Sequence, residues 1–524
     1  MTKSEALKKY SYPLCLGGLF TIAFFLRVYR LGELPNVLFI DEASVGYNAW
    51  CLANYGVDRY LNQWPIYAQN YAGGQSPLYI YSLTLLIRLF SVDGLTPAFV
   101  RIPALLVNMI MVICSAKLLS MLFHNRKITL AGTALMTFCP FFIMSGRFGL
   151  DCNMMLGISI LAITLLFHYL QKSTWPALLL CGAGFALVLY TYALSYVVLP
   201  IFLVTLSLYM LYTKRISFGR LLVLAGEIFI LALPLILFVI CLVFELPGFR
   251  IFGVSILPIA SERMSDLTAS NFWYDFFNII KVTLTSDTVP MNTVDKFYTM
   301  YVISIPFIAI GFAAAMVEFI RSLRKRQFTD SAVFLLFGIA ETITIGLSMS
   351  DLVSRANAIF VSYFYFCIVG IRRVLHFLHR YRRAFKLVVC AGYTVWTVAF
   401  LRYYFTMYSV ADMYPYPNSM YFAREEDALD RLIKAEDVKT VYIDCFIEEY
   451  LYFYYPVSPY EKDKADPTGG MRQFFTNVNY YTPIERASIY MVRKENRDFI
   501  MQLQNSGLPY ESEEFSYYYV FQIP

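Results

Sequence analysis

Asp41 and Glu42 stand side by side in LFIDEASVGYNAW, residues 38–50, directly after a run apolar enough to cross a membrane. A third acid, Asp151, sits in SGRFGLDCNMM, residues 145–155, ahead of another such run. Carboxylates at a membrane boundary can draw a proton from a hydroxyl, and the rest of the chain leaves that work to them. All four histidines (His124, His168, His376, His379) map at or near the cytoplasmic side, which excludes a histidine triad or a histidine-held metal on the outer face. Seven of the ten cysteines fall inside apolar runs, and Cys51, Cys152 and Cys445, the three near the outer face, form no disulfide framework or zinc spacing. Arg101, Arg147 and Arg355 are each expected at the outer end of a span, where a planar guanidinium can grip a phosphate through two parallel hydrogen bonds. The plainer roles are helix capping for Asp41 and Glu42, with Glu42 the more structural of the two, and interfacial anchoring for Arg101 and Arg147.

What must position these residues is a membrane. The 524 residues are 58% hydrophobic and only 15% charged, with a mean hydropathy of +0.54, which describes an integral membrane protein. The first run, roughly 12–28, follows Lys3, Lys8 and Lys9, lacks a small-residue cleavage site and ends in arginines, so it reads as a retained span with a cytoplasmic N-terminus. Further runs at about 99–121, 129–145, 153–170, 176–192, 195–212, 221–243, 298–320, 330–349, 355–371 and 384–403 bring the expectation to about eleven transmembrane helices. Positive charge collects in alternate loops, at 124–127, 171–172, 213–220, 321–328 and 371–383, as the positive-inside rule requires. The net charge of +6 therefore reflects orientation in a bilayer, and nucleic acid is not an expected partner.

Three pieces then face outward: 31–98, 244–297 and the tail from about 404. Residues 42–56 and 76–92 read as amphipathic helices lying on the outer surface, because a span at 76–92 would invert every later loop. NFWYDFFNIIKVTLTSD, residues 271–287, reads as another surface helix, with Lys281, Asp287 and Asn292 as weak site candidates. Glu341 falls mid-span, where an ionisable group calls for a function or a buried polar partner, the partner being favoured. Tyr190 and Tyr192 fit an interfacial aromatic belt. The tail, 404–524, is rich in charge and Tyr; a helix-like stretch at 423–437 and a strand-like one at 438–446 predict a small soluble α/β domain, bounded by the turn-rich 414–419.

The acid pair after the first span, the Ser-Pro-Leu-Tyr at 76–79, Arg101-Ile-Pro-Ala-Leu and SGRFGLDCNMM together resemble the polyprenyl-phosphate-sugar-dependent type C (GT-C) glycosyltransferases. Among these the chain looks most like the protein O-mannosyltransferases (family 39) and the lipid A aminoarabinose transferases, over about residues 10–370 and most strongly over 36–160. The resemblance implies a catalytic membrane domain over 1–403, with its first outer loop at 31–98. It matches Asp41 to a first-loop acid that serves as general base or positions the acceptor hydroxyl, and Asp151 to a second acid that shapes the site. Glu42, Arg101, Arg147 and above all Arg355, in DLVSRAN, are the expected substrate ligands. Where relatives carry Lys before the Ser-Pro step this chain has Gln75, a departure that bears on the donor sugar or on how its phosphate is held.

The implied activity is inverting transfer of a sugar from a polyprenyl-phosphate donor to a hydroxyl of a cell-surface glycan, lipid or protein, at the outer leaflet of a plasma membrane and without a metal or cofactor. The tail would be extracellular. Two other readings stand beside it: a transporter or flippase of a lipid-linked saccharide, against which no internal repeat is visible, and a lipid-diphosphate-dependent glycan ligase or polymerase.

Overall fold

The computed structural model describes residues 3–70, 73–259, 272–286, 291–347, 352–410, 420–444, 447–461, 473–476, 478–479 and 481–524. Each expected span coincides with a helix. These are α1 (Lys3–Val28), α5 (Ile102–Phe123), α6 (Arg126–Phe138) continued by the short α7 (Pro140–Met144), α8 (Asp151–Lys172), α9 (Trp175–Leu189), α10 (Ser195–Tyr212), α11 (Phe218–Val243), α13 (Ser304–Lys325), α14 (Asp330–Leu347), α15 (Ile359–Phe377) and α16 (Arg382–Thr406). Among the described residues nine are long and apolar enough to cross a bilayer on their own, while α6 and α9 are shorter.

Lipid offers no hydrophobic drive between helices, so close packing must hold the bundle. Gly311 on α13 and Gly370 on α15 supply it. A Cβ at Gly311 would lie 1.8 Å from the Phe366 carbonyl oxygen, and one at Gly370 would lie 1.9 Å from that of Phe307, so the two backbones touch where side chains are missing. Phe334 of α14 stacks flat on Tyr365 of α15, with ring centroids 3.9 Å apart.

The segment between α1 and α5 forms α2 (Ile40–Tyr55), the hairpin β2–β3 (Ala68–Asn70, Gly73–Gln75), α3 (Pro77–Phe90) and the single turn α4 (Pro97–Val100). Pro77 opens α3, a position where its missing N–H costs nothing. The expected surface helices are thus present, with one correction. An amphipathic helix on a membrane surface keeps a wet face, yet α2 is buried on nearly every side. The reason is a cover that local periodicity does not reveal: the C-terminal region lies over it.

That region holds a five-stranded mixed sheet in the order β10 (Glu511–Glu514), β11 (Tyr518–Ile523), β9 (Ser488–Arg493), β7 (Thr440–Ile443), β8 (Gln473–Thr476), in which β7 runs parallel to both neighbours. Helices α17 (Glu426–Ile433), α18 (Ile447–Tyr454) and α19 (Arg497–Asn505) complete the expected α/β unit. A two-stranded antiparallel ladder joins β1 (Leu38–Phe39) to β6 (Tyr421–Phe422). The expected boundary at 414–419 lies outside the described residues, as does Cys445. A hairpin, β4 (Phe249–Ile251) and β5 (Val254–Ile256), and the helix α12 (Phe272–Leu284) follow α11. The α12 helix matches the expected surface helix, exposing Trp273, Tyr274 and Phe277 while burying Ile279 and Thr283.

Candidate active site

The first turns of α2 and α8 meet at the dipeptide Gln75–Ser76. Asp41 lies in the first turn of α2 and Asp151 opens α8, positions where the unsatisfied N–H groups of a helix start favour negative charge. The Gln75 amide donates from Nε2 to the Asp41 carbonyl oxygen at 3.0 Å, and the Ser76 N–H donates to Asp151 Oδ2 at 3.1 Å. Both acids are only half-buried. Between them the Gln75 Oε1 and Ser76 Oγ atoms are buried without a hydrogen-bond partner among the described residues, as is the Tyr196 hydroxyl, which lies within electrostatic reach of Asp151. Burying polar atoms unpaired costs ~1–3 kcal/mol each, so such atoms call for a partner from outside the chain, a water, an ion or a ligand. Tyr79 packs below, its hydroxyl donating to the Val100 carbonyl at 2.7 Å. Burial, then the Glu42 charge, pushes its pKa well above the ordinary tyrosine value, so it stays neutral.

Asn153, in the same turn as Asp151, ties in two further segments. Its Oδ1 accepts from Asn292 Nδ2 at 2.6 Å and from Asn357 Nδ2 at 3.0 Å, bringing the segment after α12 and the turn before α15 against α8. Asn292 and Asn357 thus join the site region; the first was a weak candidate, and the second was missed although it stands two residues from Arg355. Asn357 Oδ1 is another buried oxygen without a partner. Arg355, on the same turn, is half-buried, and among the described residues its guanidinium makes no hydrogen bond or ion pair. Lys281 is exposed on α12, and Asp287 lies outside the described residues.

The other expected substrate ligands are placed differently. Arg101 and Arg147 are fully buried, at 0% exposure, and every guanidinium N–H has a partner inside the protein. Arg101 donates to both Glu42 oxygens, at 2.7 and 3.0 Å, and to the carbonyls of Leu31, Pro35 and Val37. Arg147 donates to the Tyr404 hydroxyl and to the carbonyls of Leu26, Arg27, Arg30 and Leu34. Neither has a donor left for a lipid phosphate. Each instead satisfies carbonyls that the chain exposes as it leaves α1, which a guanidinium does well because it carries five donors in a rigid plane. Glu42 is likewise engaged within the protein. It caps its own helix by accepting from the Phe39 N–H at 3.1 Å, accepts from the Gly149 N–H at 2.7 Å and neutralises Arg101.

Arg27 is a third buried guanidinium, missed in the sequence because it sits at the end of an anchor helix; it bonds Asn108 and the carbonyls of Ala23, Met136 and Phe142. Glu341 is wholly buried and faces the Ala358 amide; among the described residues no side chain partners its carboxylate. Tyr190 closes on the backbone, donating to the Leu231 carbonyl at 2.6 Å.

No family model matches the chain and no curated protein matches it. Solved structures do. ArnT from Cupriavidus metallidurans in the apo state shares a TM-score of 0.59 at 12% identity, and the same protein bound to undecaprenyl phosphate a TM-score of 0.55 at 12% identity, each covering 98% of both chains. The oligosaccharyltransferase of Archaeoglobus fulgidus, tethered with an acceptor peptide containing the NVT sequon, shares a TM-score of 0.55 at 11% identity, over 99% of this chain and 74% of that one. The likeness at these identities is one of architecture and covers nearly all of this chain: it has the GT-C glycosyltransferase fold.

Proposed function

We propose that the protein is a membrane glycosyltransferase that moves a sugar from a polyprenyl-monophosphate donor to an acceptor hydroxyl, at the outer leaflet of a plasma membrane. The observation that carries this reading is the convergence of Asp41 and Asp151 on Gln75–Ser76, with buried, unpartnered polar atoms between them. A sugar on a lipid phosphate already has a good leaving group. What the protein adds is an activated acceptor and a counter-charge.

Asp41 takes the proton of the acceptor hydroxyl as its oxygen attacks the anomeric carbon. The bond from that carbon to the phosphate oxygen breaks on the opposite face, and the electron pair leaves with the polyprenyl phosphate. The product is inverted at that carbon. General-base assistance of this kind contributes on the order of 10²–10⁴ in rate. Asp151 holds the Ser76 end of the site, and Arg355, whose guanidinium is uncommitted among the described residues, meets the departing phosphate. With Arg101 and Arg147 committed to backbone carbonyls, a single arginine suits one phosphate better than two. The proposal therefore favours a monophosphate donor over a lipid diphosphate, within the branch that the protein O-mannosyltransferases and aminoarabinose transferases represent, and the scheme calls on no metal. Undecaprenyl phosphate bound to ArnT, a protein of the same fold, supports a lipid-phosphate substrate. The N-terminus would be cytoplasmic and the C-terminal domain, about 404–524, extracellular.

The test is transfer of labelled sugar from a panel of polyprenyl monophosphate and diphosphate donors to membrane extracts, by the purified wild type and by Asp41→Asn. Label that moves from a monophosphate donor only when Asp41 is intact establishes the reading. Full activity in Asp41→Asn removes the base assignment, and preference for a diphosphate donor turns the reading to a ligase.

A further inference from the structure

Helix α2 carries Asp41, and the C-terminal region grips it at its start and along its middle. Just before Asp41, the Ile40 N–H donates to the Met420 carbonyl at 2.9 Å, and Leu38 and Phe39 pair with Phe422 and Tyr421. Near the middle of the helix, the Tyr47 ring stacks on Tyr452 of α18 with centroids 5.0 Å apart and an interplanar angle of 12°, and its hydroxyl donates to the Val457 carbonyl at 2.9 Å. Gly46 lies against Phe453, so closely that a Cβ there would meet the ring at 2.8 Å. The third hold is ionic. Glu449 of α18 takes both of its oxygens to Arg59 Nη1, at 2.5 and 2.7 Å, while Arg59 Nη2 donates to the Ser44 carbonyl of α2 at 3.1 Å.

Arg59 and Glu449 are 2% and 3% exposed, so this pair lies almost out of water. Burial alone would lower the Arg59 pKa, but Glu449 beside it raises it above the ordinary arginine value, so the guanidinium stays charged. The same residue reaches the site by a second route. The Arg59 N–H donates to Asn48 Oδ1 at 3.2 Å, and Asn48 Nδ2 donates to the Gln69 carbonyl at 2.9 Å, in the strand whose hairpin partner ends at Gln75. Arg59 therefore stands between α18 on one side and both arms of the Asp41–Gln75 contact on the other.

We propose that Glu449, acting through Arg59, is a positioning residue for Asp41: the C-terminal domain sets the register of α2 and of the Gln75 hairpin, and so the aim of the base. The inference rests on the reading of Asp41 as general base for its kinetic consequence, while the mechanical coupling stands apart from it.

The experiment uses the full-length protein in lipid nanodiscs as wild type, Glu449→Gln, Tyr452→Ala and Glu514→Gln. Glu514 is an exposed partner of Lys494 far along the sheet and serves as control. Amide exchange over residues 40–50 and 57–59 is read by mass spectrometry, alongside kcat and donor KM. Glu449→Gln is expected to speed exchange of those segments roughly tenfold or more, as loss of a charged hydrogen bond allows. Exchange in α8 and α15 should stay unchanged, kcat should fall by about the same factor and donor KM should stay within about twofold, while Glu514→Gln changes nothing. Unchanged exchange of α2 in both Glu449→Gln and Tyr452→Ala overturns the proposal. Should Glu449→Gln not fold, Tyr452→Ala decides alone, since it leaves no buried charge unpaired. Wild type that transfers no sugar sinks the glycosyltransferase reading and leaves the exchange result to judge the coupling. Faster exchange with unaltered kcat overturns the positioning role.

Discussion

Arg101 and Glu42 lie 59 residues apart and meet in a two-pronged ion pair, 2.7 and 3.0 Å, with no exposure on either side chain. The pair fastens the start of α2 to the start of α5, and through the Gly149 amide to the loop that presents Asp151. Removing one partner of a buried pair costs ~3–5 kcal/mol, because the other charge is left stranded. Glu42→Gln should therefore lower the thermal unfolding temperature sharply and reduce the yield of folded protein. A variant that melts with the wild type would show that the pair bears none of the site's stability.

The three arginines expected at outer span ends should separate by phenotype. Arg355→Gln is expected to raise donor KM about tenfold or more while the unfolding temperature holds, as for loss of a charge-assisted bond to phosphate. Arg147→Gln should do the reverse, destabilising the fold by ~1–3 kcal/mol or more through its stranded carbonyls. Equal KM and lowered stability in Arg355→Gln would assign that arginine to the framework as well.

Gln75 ties its hairpin to the Asp41 arm of the site. Gln75→Leu keeps the volume and deletes the bond to the Asp41 carbonyl, so kcat should drop about tenfold, the equivalent of one lost hydrogen bond. Steady-state rates at saturating donor decide it, and an unaltered kcat would leave Gln75 as packing alone.

Bilayer packing gives a prediction independent of chemistry. Gly311→Val places carbon where the Phe366 backbone already is, and backbone cannot swing aside as a side chain can. Overpacking of this kind costs ~1–3 kcal/mol or more. The expected result is a lower melting temperature in detergent with α13 and α15 exchanging faster. Gly226→Val, where the added carbon meets open space, should leave both unchanged.

Much of this architecture is legible in the chain. Hydropathy and alternating positive loops place all eleven span helices, since a bilayer imposes length and apolarity on each segment by itself. Asp41 and Asp151 stand out for the same local reason, being acids just outside such segments. Arg101 and Arg147 show the limit. Their depth can be read, but not their direction, and an arginine at a span end looks alike whether it faces a phosphate or folds back over the carbonyls leaving α1. Burial of α2 was hidden more deeply, because its cover comes from α18 and β6, and no local pattern registers a contact so far along the chain.

The ladder between β1 and β6 also has a bearing on how the molecule is made. Arg59 and Glu449 are 390 residues apart, so the ribosome finishes the acid-bearing helix long before it makes the strand and helix that moor it. Every span between must be threaded first. A chain stalled or clipped before Glu449 would leave α2, with Asp41 on it, without the contacts that α18 makes. Joining early chain to late chain thus makes the mooring of α2 wait on the synthesis of α18.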